Sequence, residues 1–254
     1  MSRPSWLRSR GRFALLTAIA LALDSCALIS SHYLAADAPK SSDFGRVVLL
    51  PMNYDSSPRP EFAVGVEGVG EQMRRFLEAS GYEVIVPRMS DTLVLWKASS
   101  DGVGGILQPD GKSLDEERYE RARSDLVRRM LDSFPADGVF SGSVVVREGR
   151  YHGLSLHWDG VRRKVPSQTQ KTTRLIFYLR GKAEGTSLRT SVFDREGELI
   201  FERYVGLEPI VGFEIIGSRF EWRPRRDLFQ DEALLREAIV ASFQPWLVEP
   251  SKPK

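Results

Sequence analysis

The sequence predicts an α/β domain, a mixed sheet carrying helices, and three features predict it. Between residues 46 and 87, two short apolar runs flank an amphipathic stretch, the pattern of a strand–helix–strand unit with buried parallel strands. From Tyr151 to Val205 apolar and polar residues alternate, as in antiparallel strands with one face covered. A final apolar-periodic stretch from Asp231 closes the chain as a helix. The predicted order is β-α-β-α-β, then antiparallel strands and a C-terminal helix packed on one sheet.

Arg46-Val-Val-Leu-Leu-Pro51 has four consecutive apolar residues ended by proline, so it reads as a strand buried on both faces. After a loop with Pro58 and Pro60, residues Phe62, Val66, Val69, Met73, Phe76 and Leu77 fall on one side of a helix that Gly81 terminates. Tyr82-Glu-Val-Ile-Val-Pro87 repeats the first strand's design, and a right-handed parallel unit is the default for that order. Asp91–Ala98 suits a short helix. Ser99–Lys112 carries four glycines and reads as a loop unable to hold one conformation unaided.

Ser113-Leu-Asp-Glu116 has capping-box spacing, and the helix it opens is expected to bury Tyr119, Ala122, Leu126, Met130, Leu131 and Phe134, with Arg and Glu outside. Pro135 and Gly138 stop it. Gly138–Val146 is a third strand, and Glu148-Gly149-Arg150 is a turn signal. Half-exposed strands follow at Tyr151–Trp158, Thr172–Arg180, Ser187–Asp194 and Leu199–Val205. A basic loop at Gly160–Lys171 interrupts them, and Asp194-Arg-Glu-Gly197 reads as a hairpin turn. Ile210–Arg226 has no clear period. The closing helix carries Leu235, Ala238, Ile239 and Phe243 and breaks at Pro245.

Ahead of this body, Phe13–Leu23 is a short apolar run preceded by Arg3, Arg8, Arg10 and Arg12. At ~1.5 Å per residue it spans roughly 17 Å, well short of the ~30 Å of hydrocarbon, so it reads as a secretory leader and not as an anchor. Cys26, the one cysteine, stands where the run ends, so the thiol has no internal disulfide partner. Leu23-Asp24-Ser25-Cys26 resembles the lipobox of bacterial lipoproteins, although Asp24 sits where a small uncharged residue is usual. That resemblance implies cleavage before Cys26 and acylation of it, and several acyl chains anchor durably where one would not. Ala27 after the cysteine implies the outer membrane. Ordinary signal cleavage, with Ser25 and Ala27 as the small residues, is the alternative and would leave a soluble secreted chain. The expected organisation is a leader over 1–25, a lipidated tether over 26–44, one domain over 45–248 and a tail over 249–254.

Without the four arginines and one aspartate ahead of Cys26, 32 basic and 33 acidic side chains remain, so no net field draws the mature chain to nucleic acid. The extracytoplasmic compartment argues against nucleic acid more strongly still.

The element order, with Val47–Pro51, Gly81–Pro87 and Ala136-Asp-Gly-Val-Phe-Ser-Gly-Ser-Val144, resembles a group of bacterial envelope lipoproteins. They share the domain of the curli-secretion lipoprotein CsgG, the penicillin-binding-protein activator LpoB and the N-terminal part of TolB. The resemblance covers most of 45–248. It implies a non-enzymatic protein with an envelope protein as partner. The glycine-rich and basic loops lengthen this chain relative to that group.

No catalytic fingerprint is complete. Ser141 and Ser143 flank a glycine inside a predicted strand, not at a nucleophile elbow. His152 and His157, five apart on one expected strand, point to opposite faces and do not share a metal. Gly65, Gly68 and Gly70 match no phosphate-loop fingerprint, and close helix–sheet packing accounts for them. Asp115, Glu116 and Glu117 suit a first helical turn. No cofactor is called for. Two basic patches stand out as contact candidates for a headgroup, glycan or partner: Arg162-Arg163-Lys164, and Arg223, Arg225 and Arg226 beside Trp222 and Phe220. The expected function is an outer-membrane scaffold or assembly factor facing the periplasm. A periplasmic hydrolase and a carrier of an apolar ligand are the alternatives.

Overall fold

The computed structural model describes residues 32–54, 62–166, 180–216 and 219–247. The leader, Cys26, the Pro58–Pro60 loop, most of the strand expected at Thr172–Arg180 and the tail fall outside those residues. The elements are β1 (His32–Leu34), β2 (Arg46–Leu49), α1 (Ala63–Ala79), β3 (Glu83–Ile85), α2 (Met89–Gly102), α3 (Glu116–Ser133) and β4 (Gly138–His152). They continue with β5 (Ser155–Trp158), β6 (Val161–Lys164), β7 (Arg180–Phe193), β8 (Leu199–Pro209), β9 (Val211–Ile216), β10 (Arg219–Pro224) and α4 (Glu232–Phe243).

The main sheet runs β1-β8-β7-β4-β2-β3, with β5 added to β4 and β6 to β5. The strands β4, β2 and β3 are parallel, and the rest of that order is antiparallel, so the sheet is mixed as expected. Alternation along β2 sends Val47 and Leu49 into one core and Val48 and Leu50 into a second. On the first face α1 (Val66, Val69, Met73, Leu77) and α4 (Leu235, Ala238, Ile239, Phe243) cover Phe140, Val144, Leu188 and Val192. On the second, Trp96 of α2 and Tyr119, Ala122, Leu126 and Met130 of α3 cover Val139 and Phe193. The domain is therefore a three-layer sandwich.

The glycines of α1 divide. A Cβ at Gly65 would meet the Phe229 ring and one at Gly70 would meet Met52, so these two permit close packing, while nothing lies near Gly68.

Four expectations need correction. The α3 cap is Asp115, whose carboxylate accepts from Arg118 N at 3.1 Å, and not Ser113. A bridge between Leu107 and Leu114 keeps the chain extended past Ser113 and delays the helix. Arg123 of α3 does not face solvent. It is 2% exposed, paired with Glu120 at 2.8 Å and seated over the Phe193 ring at 4.9 Å. Glu202 completes that cluster, bonded by Arg189 at 2.8 Å and by the Ser191 hydroxyl at 2.8 Å. Burial opposes its ionisation, but Arg189 and Arg123 prevail and hold the carboxyl below its usual range.

Third, Glu148-Gly149-Arg150 is no turn. Strand β4 continues to His152 and reverses at Gly153, φ +59°, so Tyr151–Trp158 is a hairpin and not one strand. Val161–Lys164, expected in a loop, is β6, and Ile210–Arg226 contains the separate β9–β10 ribbon. Fourth, the stretch read as a tether is partly fixed. Strand β1 pairs with β8, Trp246 Nε1 donates to Pro39 O at 3.1 Å, and Tyr82 OH donates to Ser41 O at 3.1 Å.

Candidate functional site

The long β4–β7 ladder runs past the helices, and its far end curls. Hairpin β5–β6 turns at Asp159-Gly160, both with positive φ (38° and 77°), the geometry of a two-residue type I′ turn. Trp158 then lies where a Cβ at Gly185 or Gly206 would collide with its ring, so glycine on two strands admits one indole, while a Cβ at Gly149 would meet the His157 carbonyl and Leu156 of β5. Its Nε1 donates to Thr186 O at 3.1 Å. The curl closes on β8: Gly206 N donates to Asp159 O at 3.3 Å and Arg163 Nε to Leu207 O at 3.1 Å. Leu156, Trp158, Val165 and Phe213 form a third small core inside it.

Register decides what the outer side carries. Arg150 stands opposite Lys182 on one side and His157 on the other, and His157 stands opposite Arg162. The next row is Arg180, His152, Ser155 and Lys164. Opposed residues share a face, with Cα atoms ~4.5–5.5 Å apart, so two cross-strand rows place seven basic side chains in one band. All but His157 are exposed, and His157 is half-buried. Lys182 pairs with Glu148 at 2.7 Å; among the described residues Arg150, Arg162, Lys164 and Arg180 form no ion pair. Partial burial, then the charges of Arg162 and His152, push His157 below the ordinary imidazole value.

The two histidines therefore share a face, because the chain reverses between them. The expectation that they point apart fails with the single-strand reading behind it. Among the described residues no group of three or more His, Cys, Asp or Glu side chains gathers as a metal site.

The sequence-predicted basic residues separate into outward-facing and structural ones. Arg162 and Lys164 join the band. Arg163, on the alternate face of β6, ties the hairpin to β8 and reaches Glu237 of α4 at 3.3 Å. Arg225 is likewise structural, bound to Glu208 at 2.6 Å, Asp227 at 2.9 Å and Pro209 O at 3.1 Å. Arg223 pairs with Glu221 at 2.7 Å and Glu214 at 3.4 Å, while Arg226 is exposed. Trp222 is 43% exposed and leans edge-on against Tyr151 with ring centroids 5.2 Å apart. Phe213, its partner across the ribbon, also lines a groove of ≈ 480 Å³ together with Glu214, Arg223, Arg225 and Arg226.

Sequence reasoning missed Arg150, His152, His157, Arg180 and Lys182. The Asp159-Gly160 dipeptide between alternating residues was the available signal, since a hairpin there brings Arg162 opposite His157. Their approach to Arg180 and Lys182 depends on long-range register and has no local signature.

Among the described residues no helix is long and apolar enough to cross a membrane. No family model matches the chain. No curated protein matches it. Among solved structures it is similar to the PelC dodecamer of Paraburkholderia phytofirmans, at 10% identity and a TM-score of 0.37, over 86% of this chain and 98% of that one. A likeness of that depth assigns this chain neither a partner nor an assembly.

Proposed function

We propose that the chain is a non-enzymatic outer-membrane lipoprotein, anchored through acyl groups on Cys26, that acts at the periplasmic face as a protein-binding scaffold or assembly factor of the envelope. The observation that carries the binding role is Trp222. It is a large aromatic left 43% exposed and braced by Tyr151 and by Phe213, which also lines an arginine-bearing groove. Exposed tryptophan beside arginine is the residue chemistry of interface anchors, where a rigid ring fills a partner's pocket and charges at the rim set orientation.

Only residues 27–31 separate Cys26 from β1, so the anchored domain stays close to its membrane. That supports a membrane-proximal role over one that reaches across the envelope.

The test is a photoreactive side chain at position 222 in cells, with Val94 of α2, 68% exposed, as control. One envelope protein should be captured from 222 and not from 94, and Arg226→Glu should abolish the adduct. Identical capture from both positions, or none from 222, would overturn the binding role. Mass analysis of the mature chain tests the anchor: an unmodified Cys26 thiol removes it.

A further inference from the structure

We propose that the basic band on the outer side of the β4–β7 and β5–β6 hairpins docks against anionic phospholipid headgroups of the membrane that holds Cys26. The proposal rests on the lipid-anchored reading and adds an orientation to it.

Two independent observations lead there. The first is charge. Arg150, Arg162, Lys164 and Arg180 carry no ion pair among the described residues, and register crowds them beside Lys182 and His157. Like charges set directly opposite one another destabilise a sheet; on this face Glu148 pairs with Lys182 and stands opposite Glu184, and the four other cations form no ion pair among the described residues. An anionic surface compensates them, because each cation near a charged leaflet adds to the attraction. The mature chain has no net positive charge, so the band is a local concentration and not a share of an overall excess.

The second observation is reach. Strand β1 is antiparallel to β8 and therefore parallel to β7, so its first residue points toward the hairpin end. His32 stands level with Arg203, and Arg203 with Thr190 of β7. From that level the band lies eight to ten residues farther along β7, at Lys182 and Arg180. This is a projection of up to ~34 Å at strand spacing. The lead from His32 back to Cys26 is six residues, ~20 Å at full extension. With the hairpin end toward the membrane, an upright domain would push that end through the membrane surface. In that direction the lead is long enough only for a reclined domain, with the side of the hairpin end against the headgroups, and the band is the charged side available there.

The experiment uses the full acylated chain reconstituted in vesicles of phosphatidylcholine alone or mixed with phosphatidylglycerol. The readout is amine labelling at Lys164 and Lys182, with Lys97 of α2 as reference. The proposal expects Lys164 and Lys182 to be protected severalfold in phosphatidylglycerol vesicles, with protection lost at high salt, and Lys97 unchanged. Equal labelling of all three in both vesicles overturns it. A second measurement separates anchor from band: cosedimentation of the full-length Cys26→Ser chain. Phosphatidylglycerol vesicles should bind it, and Arg150→Gln/Arg162→Gln/Lys182→Gln should weaken that binding about a hundredfold, at roughly fivefold per cation. If the wild-type thiol proves unacylated while this difference persists, the anchor falls and the band assignment stands. If Cys26 is acylated and the difference is absent, the band assignment falls and the anchor stands. Binding to soluble dextran sulfate without binding to the vesicles would overturn the lipid in favour of an anionic polymer.

Discussion

The two ends of the β4–β7 ladder are built from the same strands in one continuous register, yet they do opposite work. From Val139 to Val144 every residue of β4 is buried, with α1 and α4 on one face and α2 and α3 on the other. From Arg147 onward the helices no longer cover it, and the same alternation sends glycine and tyrosine inward and Arg150 and His152 outward. Secondary structure alone therefore does not set a strand's role. What lies on its two faces does, and here that changes partway along one strand.

Breaking the covered end should have the largest effect. Phe140 is fully buried and meets Phe44, Tyr82, Phe243 and Trp246 through its ring. Phe140→Ala should cost about 3–5 kcal/mol in urea unfolding, since the cavity is walled on all sides and collapses poorly. Trp158→Ala is its counterpart at the curled end. It should cost about 3 kcal/mol, the low end of the range, because fewer layers surround the indole. Hydrogen exchange should rise first in residues 149–164. If it rose equally across α1 and α4, the two ends would be one cooperative unit and the contrast would fail.

The smallest expected effect is a titration. The folded state depresses the pKa of His157, so the unfolded imidazole takes up its proton first. This group's contribution is then absent as a pH effect above the ordinary value near ~6.5 and costs stability as pH falls from there through the depressed folded value. Arg162→Gln should move the His157 imidazole resonances toward an ordinary titration by NMR. No movement would mean that Arg162 and His157 are not neighbours across β5–β6.

How much of this was readable in the residues follows the same division. The covered half announces itself locally: Val47–Leu50 and the period of α1 and α3 each carry their own signal, and those elements appear where expected. Arg123 escapes because a helical arginine reads as solvated until Phe193 and Glu202 arrive from distant strands. At the curled end the cues misled. Gly149 resembles a turn residue, but its missing side chain makes room for the β5 backbone at His157 and for Leu156. The basic triplet at 162–164 was visible as composition, yet strand alternation splits it into two outward residues and one structural Arg163. Only pairing across four strands assembles the band, and pairing is not a local property.

The central claim is that the band's charges serve contact with something outside the domain and contribute nothing to folding. Urea unfolding of the full chain carrying Arg150→Gln/Arg162→Gln/Lys164→Gln tests it most directly. The expected unfolding free energy equals that of wild type or exceeds it by a few tenths of a kcal/mol, as opposed like charges are relieved. A loss of about 2 kcal/mol or more, in the range of a core truncation, would mean the band is part of the fold's own support and would contradict the account.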